Sequence, residues 1–229
     1  VRSGASRLPS ALKGRFTVEA PLELLNGPLQ DLFAGIEAVH RGLEFEFATR
    51  GAGAPASLSF ALGELVPAGF QALSRQAVVC AASPAYIERR GIPQSPEDLP
   101  DHRLVMGSVA AETRRHVFQR AGERLSMPLD ASSVQRTSRA ALFEALRGDG
   151  IAVGVPFRAA APALERGELV SVPEGWRMEG SVVSLRLRRG GPPYLASFLQ
   201  GAIEKGLEEA LRRDGEDFER LVRGGIDGQ

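Results

Sequence analysis

Residues 15–47 read RFTVEAPLELLNGPLQDLFAGIEAVHRGLEFEF, and this stretch decides the fold class. Apolar and polar residues alternate over 15–21, as in a strand, and they alternate again over 43–47. Between these segments, apolar residues recur at the spacing of one helix face, at Leu25, Leu29, Leu32, Ile36 and Val39. Pro28 is expected to kink the first turn of that helix. A strand, a helix and a second strand in this order predict a parallel crossover unit.

The rest of the chain continues the alternation of strands and helices. Strands are predicted at 57–62, 71–82, 103–106, 116–119, 133–135, 151–155, 169–172 and 182–187. Helices are predicted after Ser83-Pro84 and Ser95-Pro96, at 139–147 and 157–166, and from Pro192-Pro193 onward, with Gly215 breaking the last one. This order of elements predicts an α/β fold with mixed sheets flanked by helices.

Composition excludes several classes of protein. The 229 residues include 28 Lys plus Arg and 28 Asp plus Glu, so the chain lacks the basic excess of a free-standing nucleic-acid binder. Cys80 is the single cysteine, which excludes a disulfide framework. The longest purely apolar run, 77–82, is far shorter than a membrane span. No signal-peptide core opens the chain, and a start at Val1 is expected of a fragment or a mature product.

No residue pattern predicts catalysis, a metal site or a cofactor. A Gly-x-Gly-x-x-Ala match begins at Gly51, but a strand-like segment follows it instead of the helix that a dinucleotide site requires, so a loop is expected. The three histidines lack the spacing of metal ligands, and His116, beside two arginines, is interpreted as a solvated side chain. Cys80 lies in an apolar strand and is interpreted as a core residue.

Three predicted helices begin directly after strands, at Pro21-Leu22, at Thr137-Ser138 and at Pro156-Phe157. In an open α/β sheet, such helix ends line the crevice where ligands bind. Their N–H groups and the helix dipole favour a carboxylate or another anion, and Thr137 and Ser138 add hydroxyl donors. The alternative interpretation is plain capping, in which Thr or Ser satisfies the backbone of its own helix.

Two stretches resemble the effector-binding domain of LysR-type transcriptional regulators. One reads ASPAYIERRGIPQSPEDLPDHR over residues 82–103, and the other reads LRGDGIAVGVPFRAAAPALERGELV over residues 146–170. Residues 14–21, GRFTVEAP, resemble the opening strand of that domain. The resemblance covers roughly residues 14–213.

The resemblance implies a two-lobed fold like that of type II periplasmic binding proteins. It places lobe I at 15–77 and 182–229 and lobe II at 78–181, with residues 1–14 as a linker remnant. It leaves the DNA-binding winged helix-turn-helix of the family outside these residues. The effector pocket that it implies is formed by Pro21, Leu22, Glu23, Thr49, Thr137, Ser138, Pro156 and Phe157.

Three features depart from the family pattern. Segment 48–57 is short where the family usually has a further helix. This difference affects the wall of the effector pocket in lobe I, which includes Thr49. Glu23 places a carboxylate where small polar residues are common, and it would repel an anionic effector if it faced the cleft. The tail after Arg213 has no counterpart in the family pattern.

The leading hypothesis is a ligand-sensing and oligomerisation domain of a bacterial, cytoplasmic LysR-type regulator. It would bind a small carboxylate or aromatic metabolite between the lobes, form a homodimer or tetramer, and contact DNA only through its missing N-terminal domain, without a metal, a cofactor or a membrane. The dimer is expected to pair the helix at 22–41 and the strand at 43–47 with those of a second copy, antiparallel. The alternatives are an extracytoplasmic solute-binding protein of an uptake system, an enzyme on the same scaffold and a regulator that needs no effector.

Overall fold

The predicted crossover unit lies at the amino-terminal end of the fold. The structure is a computed structural model, and it describes residues 12–49, 55–108, 110, 113, 115–129, 133–188 and 193–224. The strands are β1 (Lys13–Glu19), β2 (Gly42–Ala48), β3 (Leu58–Gly63), β4 (Gln71–Gln76), β5 (Val78–Ala82), β6 (Leu104–Met106), β7 (His116–Arg120), β8 (Glu123–Met127), β9 (Ser133–Gln135), β10 (Ile151–Pro156), β11 (Val170–Ser171), β12 (Arg177–Met178) and β13 (Ser181–Leu187). The helices are α1 (Leu22–Leu25), α2 (Pro28–Val39), α3 (Pro84–Arg90), a 3₁₀ helix (Pro96–Asp101), α4 (Ser138–Leu146), α5 (Phe157–Glu165) and α6 (Pro193–Gly224). The predicted glycine loop at 51–53 and residues 1–11 of the predicted linker lie outside the described residues.

The chain divides into two compact units. The first comprises the described residues up to Phe60 together with Leu185–Leu207, and the second comprises Ala61–Ser184 together with the described residues from Glu208 onward. The lobe boundaries taken from the resemblance differ, because they assign 61–77, 182–184 and the end of α6 to the first lobe. Those boundaries stay a prediction.

The strands form three sheets. Their orders are β2-β1-β3-β13-β4, β11-β5-β10-β6-β9 and β12-β7-β8. β1 is parallel to β2 from the Lys13–Gly42 pair to the Glu19–Ala48 pair, which confirms the predicted crossover unit. No described helix combines the length and the apolar character that crossing a lipid bilayer requires.

Aromatic rings fill the core of the first unit. Phe33 of α2 is fully buried, and its ring centroid lies 4.5 Å from that of Phe45 and 6.3 Å from that of Phe60. α6 packs closely on α2, since a Cβ added at Gly206 would lie 2.3 Å from Cδ1 of Leu32. Leu29 and Ile36 of the predicted helix face are buried, whereas Val39 at the end of that face is 75% exposed.

Pro28 begins a helix instead of kinking one. α1 ends at Leu25, Asn26 and Gly27 form a turn, and α2 begins at Pro28. Proline suits the first position of a helix because an N–H there would have no partner within the helix. The prediction of one kinked helix is wrong for this reason.

A fully buried strand lies at the centre of the second unit. All six residues of β10 are buried, and β10 runs parallel to β6 and antiparallel to β5. Along β5, Val79 and Ala81 face one hydrophobic cluster, whereas Cys80 and Ala82 face another. α4, α5 and the end of α6 supply side chains to the first cluster. The two covered faces explain why these strands are apolar throughout.

The predicted strand at 71–82 is two strands. β4 and β5 belong to different sheets, and Ala77 lies between them. The Ala77 carbonyl accepts a hydrogen bond from the Phe157 N–H at 2.9 Å, and a Cβ added at Gly180 would lie 2.3 Å from the Gln76 carbonyl oxygen. The prediction was wrong because the chain changes sheets here without any change in hydrophobic pattern.

α6 continues through Gly215, where the sequence predicts a break. A glycine inside a helix costs about 1 kcal/mol relative to alanine. Asp214 and Phe218 on either side of it are buried, and Arg213 pairs with Glu209 at 2.8 Å. These contacts offset the cost of the glycine, so the predicted break is wrong.

β8 and β12 have no counterpart in the sequence prediction. β8 forms a hairpin with β7, and the two turn residues, Ala121 and Gly122, have φ of 42° and 89°. Such a turn usually carries Asn-Gly or Asp-Gly, and that signal is missing here. β12 has only two residues, too few for a periodic pattern.

Candidate functional site

Three parallel strands of the second unit end at one edge of their sheet. β6 is parallel to β10 on one side and to β9 on the other. Beyond the strand ends, the Gly107 N–H donates to the Val153 carbonyl at 2.9 Å, and the Arg136 N–H donates to the Met106 carbonyl at 3.0 Å. The segments that follow the strands therefore meet at the carboxyl edge, which is where open α/β sheets bind ligands.

Two glycines allow the close approach at this edge. A Cβ added at Gly107 would lie 3.0 Å from the Ser138 Oγ and 3.3 Å from the Gly154 carbonyl oxygen. Gly154 has a φ of +64°, and a Cβ there would lie 2.4 Å from the Cβ of Ala110. The hydroxyl of Ser138, which is buried, is therefore brought beside the backbone of Gly107 at the end of β6.

Thr137 caps α4. Its Oγ1 accepts a hydrogen bond from the Ala140 N–H at 3.3 Å, while the side chain stays exposed. The capping interpretation is thus confirmed for Thr137. Contact of Thr137 and Ser138 with an effector stays a prediction.

An ion-pair cluster holds the segment before Thr137. Glu144 of α4 accepts from Arg103 at 2.7 Å and from Arg136 at 2.9 Å. The hydrogen bond from Arg103, followed by that from Arg136, holds the pKa of Glu144 below its ordinary value against the opposing effect of burial. The carboxylate therefore links the β6 and β9 segments to the helix that Thr137 caps.

Pro156 and Phe157 lie at the third predicted helix end. Pro156 is the N-cap of α5 and is buried. The Phe157 N–H already donates to Ala77, and its ring packs against Phe218 at a centroid distance of 5.1 Å. That amide therefore closes the β4–β5 break, and contact of Pro156 and Phe157 with an effector stays a prediction.

The other predicted pocket residues lie together in the first unit. The Ala20 N–H donates to the Ala48 carbonyl at 3.1 Å, which brings Pro21 next to Thr49 at the carboxyl ends of β1 and β2. Glu23 lies in the first turn of α1, and Leu22 is 48% exposed. The eight predicted residues thus form two groups, one in each unit.

A cavity of about 270 Å³ lies entirely within the second unit. It adjoins the strand edge through Ala110 and Gly154 and includes none of the eight predicted residues. Its lining residues are Glu64, Leu65, Arg75, Val78, Ala110, Thr113, Arg115, His116, Val117, Arg124, Gly154, Met178, Glu179, Gly180 and Ser181. His116 is 2% exposed, so its interpretation as a solvated side chain is wrong. Strand β7 turns it inward, which the polar run around it does not indicate.

Arginine side chains dominate the charge of the cavity. Arg75 and Arg124 share Glu179, with N–O distances of 3.1 and 2.9 Å, and Arg75 also donates to the Gly180 carbonyl at 2.7 Å. Arg115 donates from Nε to the Ser126 Oγ at 3.2 Å. Three arginines against two glutamates leave one net positive charge on the lining. A lining with this charge favours a small anion.

Cys80 lies beneath the cavity as a core residue. Its Sγ is 3.8 Å from the sulfur of Met178, which lines the cavity, and burial raises the pKa of the Cys80 thiol to about 12. A protonated, buried thiol is a poor nucleophile, which confirms the interpretation of Cys80 as a core residue. Among the described residues, no group of three or more His, Cys, Asp or Glu side chains could hold a metal ion.

The family model for the LysR substrate binding domain matches residues 10–205. The chain belongs to the LysR substrate-binding domain family. A putative transcriptional regulator of Pseudomonas aeruginosa is 35% identical over 104 residues, which cover 44% of this chain and 33% of that protein. The chain thus spans about a third of the length of the curated relatives that it matches.

Solved structures of LysR-type regulators share the fold. The full-length virulence activator AphB of Vibrio cholerae has a TM-score of 0.67 at 18% identity, covering 86% of this chain and 69% of that one. The effector domain of AmpR of Pseudomonas aeruginosa has a TM-score of 0.60 at 21% identity, covering 87% of this chain and 99% of that one. The predicted family and the predicted fold class, of the type II periplasmic-binding-protein kind, are confirmed.

Proposed function

We propose that this chain is the ligand-sensing and oligomerisation domain of a LysR-type transcription regulator. The observation that carries the proposal is the family match, which extends through both units. The proposal includes DNA contact through a separate N-terminal domain, a cytoplasmic location and no catalytic role. The family match does not favour the alternative of an extracytoplasmic solute-binding protein.

The effector is a small anion, in this proposal a carboxylate. Arg75, Arg115 and Arg124 line the cavity of the second unit, and guanidinium groups bind carboxylates through paired, charge-assisted hydrogen bonds. Apolar side chains of Val78, Val117 and Met178 complete the lining, so a carboxylate with a small apolar body suits the cavity.

The effector reaches the strand edge beside the cavity. Gly154 and Ala110 line the cavity. The Gly154 carbonyl lies close to Gly107, and Gly107 in turn lies close to the Ser138 hydroxyl. These contacts support a role for Ser138, with Thr137 and Pro156, in binding the effector. Contributions from Pro21, Leu22, Glu23 and Thr49 of the first unit are part of the same proposal, and the predicted placement of the effector between two lobes is left as a prediction.

A thermal-shift screen of matched acids and amides tests the proposal. Benzoate is compared with benzamide, and succinate with succinamide, on the wild-type chain. A ligand of the native state raises the melting temperature by mass action. We expect at least one acid to raise it while its neutral amide does not. Equal shifts for acid and amide, or no shift with any acid, would contradict an anionic effector.

A homodimer is part of the proposed function. In the first sheet, β2 is the outermost described strand, and Phe47 at its end is 46% exposed. Val39 at the end of α2 is 75% exposed. An edge strand beside exposed apolar side chains supports pairing with a second copy.

A further inference from the structure

The carboxyl-terminal half of α6 lies outside the matched family segment, yet it belongs to the second unit. The match ends at residue 205, whereas α6 continues to Gly224. From Glu208 onward the helix is grouped with the second unit, not with the first unit where α6 begins. This terminal segment, Glu208–Gly224, thus lies beyond the matched residues and takes part in the second unit.

Phe218 fixes the terminal segment on the first residue of α5. Its ring lies 5.1 Å from the Phe157 ring at an interplanar angle of 54°, and the two residues are 6% and 2% exposed. Leu221, one turn further along, packs against the hydrophobic cluster that contains Phe157 and Ala160. Aromatic pairs at this distance add to the stabilisation from apolar burial.

An ion pair fixes the second residue of α5. The Arg158 Nε lies 3.1 Å from both carboxylate oxygens of Asp214, and the side chains are 35% and 12% exposed. A further ion pair joins Glu219 of the terminal segment to Arg177 of β12. Both Phe157 and Arg158, the residues that directly follow Pro156, are therefore held by side chains of the terminal segment.

We propose that the terminal segment holds the first turn of α5 in place, so that Asp214 and Phe218 are positioning residues for the strand end at Gly154 and Pro156. Neither residue needs to touch the effector for this role. The inference rests on the proposed function only in treating that strand end as part of the effector site. In this role the terminal segment of α6 stabilises a helix end of the second unit.

Hydrogen exchange measured by mass spectrometry on the full chain tests the positioning role. In Asp214→Asn we expect exchange in peptides from 157–161 to rise about three- to tenfold, because a partly buried ion pair no longer opposes local opening. Peptides from α4 should exchange as in the wild type. Asp217→Asn is the matched control, since it removes an exposed pair with Arg220 on the same helix and should leave 157–161 unchanged.

A charge swap separates positioning from general loss of stability. Arg158→Asp with Asp214→Arg re-forms the pair in reverse, and we expect it to restore slow exchange in 157–161. Phe218→Leu, which keeps apolar contact with Phe157, should increase exchange there less than Phe218→Ala. Unchanged exchange in Asp214→Asn, or an equal rise in α4, would overturn the positioning role.

Binding of the acids tested above distinguishes the two proposals. If the wild type binds benzoate or succinate, Asp214→Asn should weaken that binding at a temperature where the variant is still fully folded. Unaltered affinity would overturn the link to the effector site. If the wild type binds neither acid while exchange in 157–161 responds as expected, the proposed anionic effector fails and the positioning of α5 stands.

Discussion

At the residue scale, a buried hydrogen-bond chain joins Arg103, Tyr86 and His102 within the second unit. The Arg103 N–H donates to the Tyr86 hydroxyl at 3.1 Å, and that hydroxyl lies 3.2 Å from the His102 Nδ1. The Tyr86 hydroxyl can donate to Nδ1 when that nitrogen carries no proton, an arrangement that a neutral His102 ring allows and a protonated ring does not. Burial lowers the pKa of His102, and Arg90 lowers it further, against smaller opposing effects of Asp101 and Asp98.

The lowered pKa of His102 predicts a loss of stability in mild acid. The folded-state pKa lies below the ordinary 6.5, so the neutral ring stabilises the fold above that pH, and this stability is lost as the pH falls through the folded-state pKa. Urea unfolding at about pH 8 and about pH 5 measures the effect, which should be smaller in His102→Gln than in the wild type. His40→Gln is the control, and an equal reduction of the effect in that variant would contradict the assignment to His102.

The hydroxyls of Thr137 and Ser138 allow a direct test of the predicted effector contacts. Thr137→Val with Ser138→Ala should weaken binding of the effector acid by about 1–3 kcal/mol through lost donors. The same change removes the α4 cap, which costs about 1 kcal/mol of stability. Ser83→Ala is the matched control, because Ser83 caps α3 through the Tyr86 N–H and is not one of the eight predicted effector residues. Calorimetry that finds unchanged affinity in the double variant would reject these contacts.

The environments of some single residues can be predicted from the sequence, and those of others cannot. The Ser83 cap, the Thr137 cap and the core position of Cys80 follow from local patterns, and all three are confirmed. The cavity could not be predicted, because its arginines come from three separate strands and loops and only the fold brings them together. The burial of His116 does not follow from the sequence, because β7 is too short to reveal which of its side chains face inward.

At the element scale, the sequence predicts strands and helices from local hydrophobic patterns, and it fails where tertiary contacts decide. Helical spacing predicts α2, and a short apolar run predicts β10, which is buried on both faces. The break between β4 and β5 and the continuity of α6 depend instead on contacts that are distant in sequence, such as Phe157 with Ala77 and Arg158 with Asp214. Such contacts leave no local pattern.

Two glycines on α6 predict opposite responses to alanine. A Cβ at Gly215 would meet no atom within 4 Å, so Gly215→Ala should raise the free energy of unfolding by about 1 kcal/mol through helix propensity. A Cβ at Gly206 would lie 2.3 Å from Leu32, so Gly206→Ala must displace that side chain and lose most or all of the same gain. Urea denaturation compares the two variants. Equal stabilisation would contradict the close packing of α6 on α2.

At the scale of the whole molecule, the chain combines two units of unequal size with an edge strand that supports self-association. The net charge of zero agrees with a domain that does not itself grip DNA. The family model matches residues 10–205, while the alignments with the curated relatives cover about a third of the length of those proteins. The sequence therefore predicts the fold and the family, whereas it does not predict the cavity, because only the fold brings the lining residues together.

Self-association through β2 and α2 predicts a dimer that surface charges can disrupt. Light scattering should find a dimer for the wild type and a monomer for Phe47→Glu with Val39→Glu, because two carboxylates would be buried at the interface without partners. Phe143→Glu is the control, since Phe143 of α4 is 60% exposed and lies in the other unit. A monomeric wild type at high concentration would contradict the proposed interface.

Calorimetric titration with the acid that gives the largest thermal shift tests the central claim most directly. We expect saturable binding at one site per chain in the wild type and in Arg41→Gln, a variant that changes an exposed arginine of the first unit. In Arg115→Gln, the loss of a guanidinium that lines the cavity should weaken binding about tenfold or more. Equal affinity in Arg115→Gln and in the wild type, or no saturable binding in the wild type, would contradict an anion sensor built around this cavity.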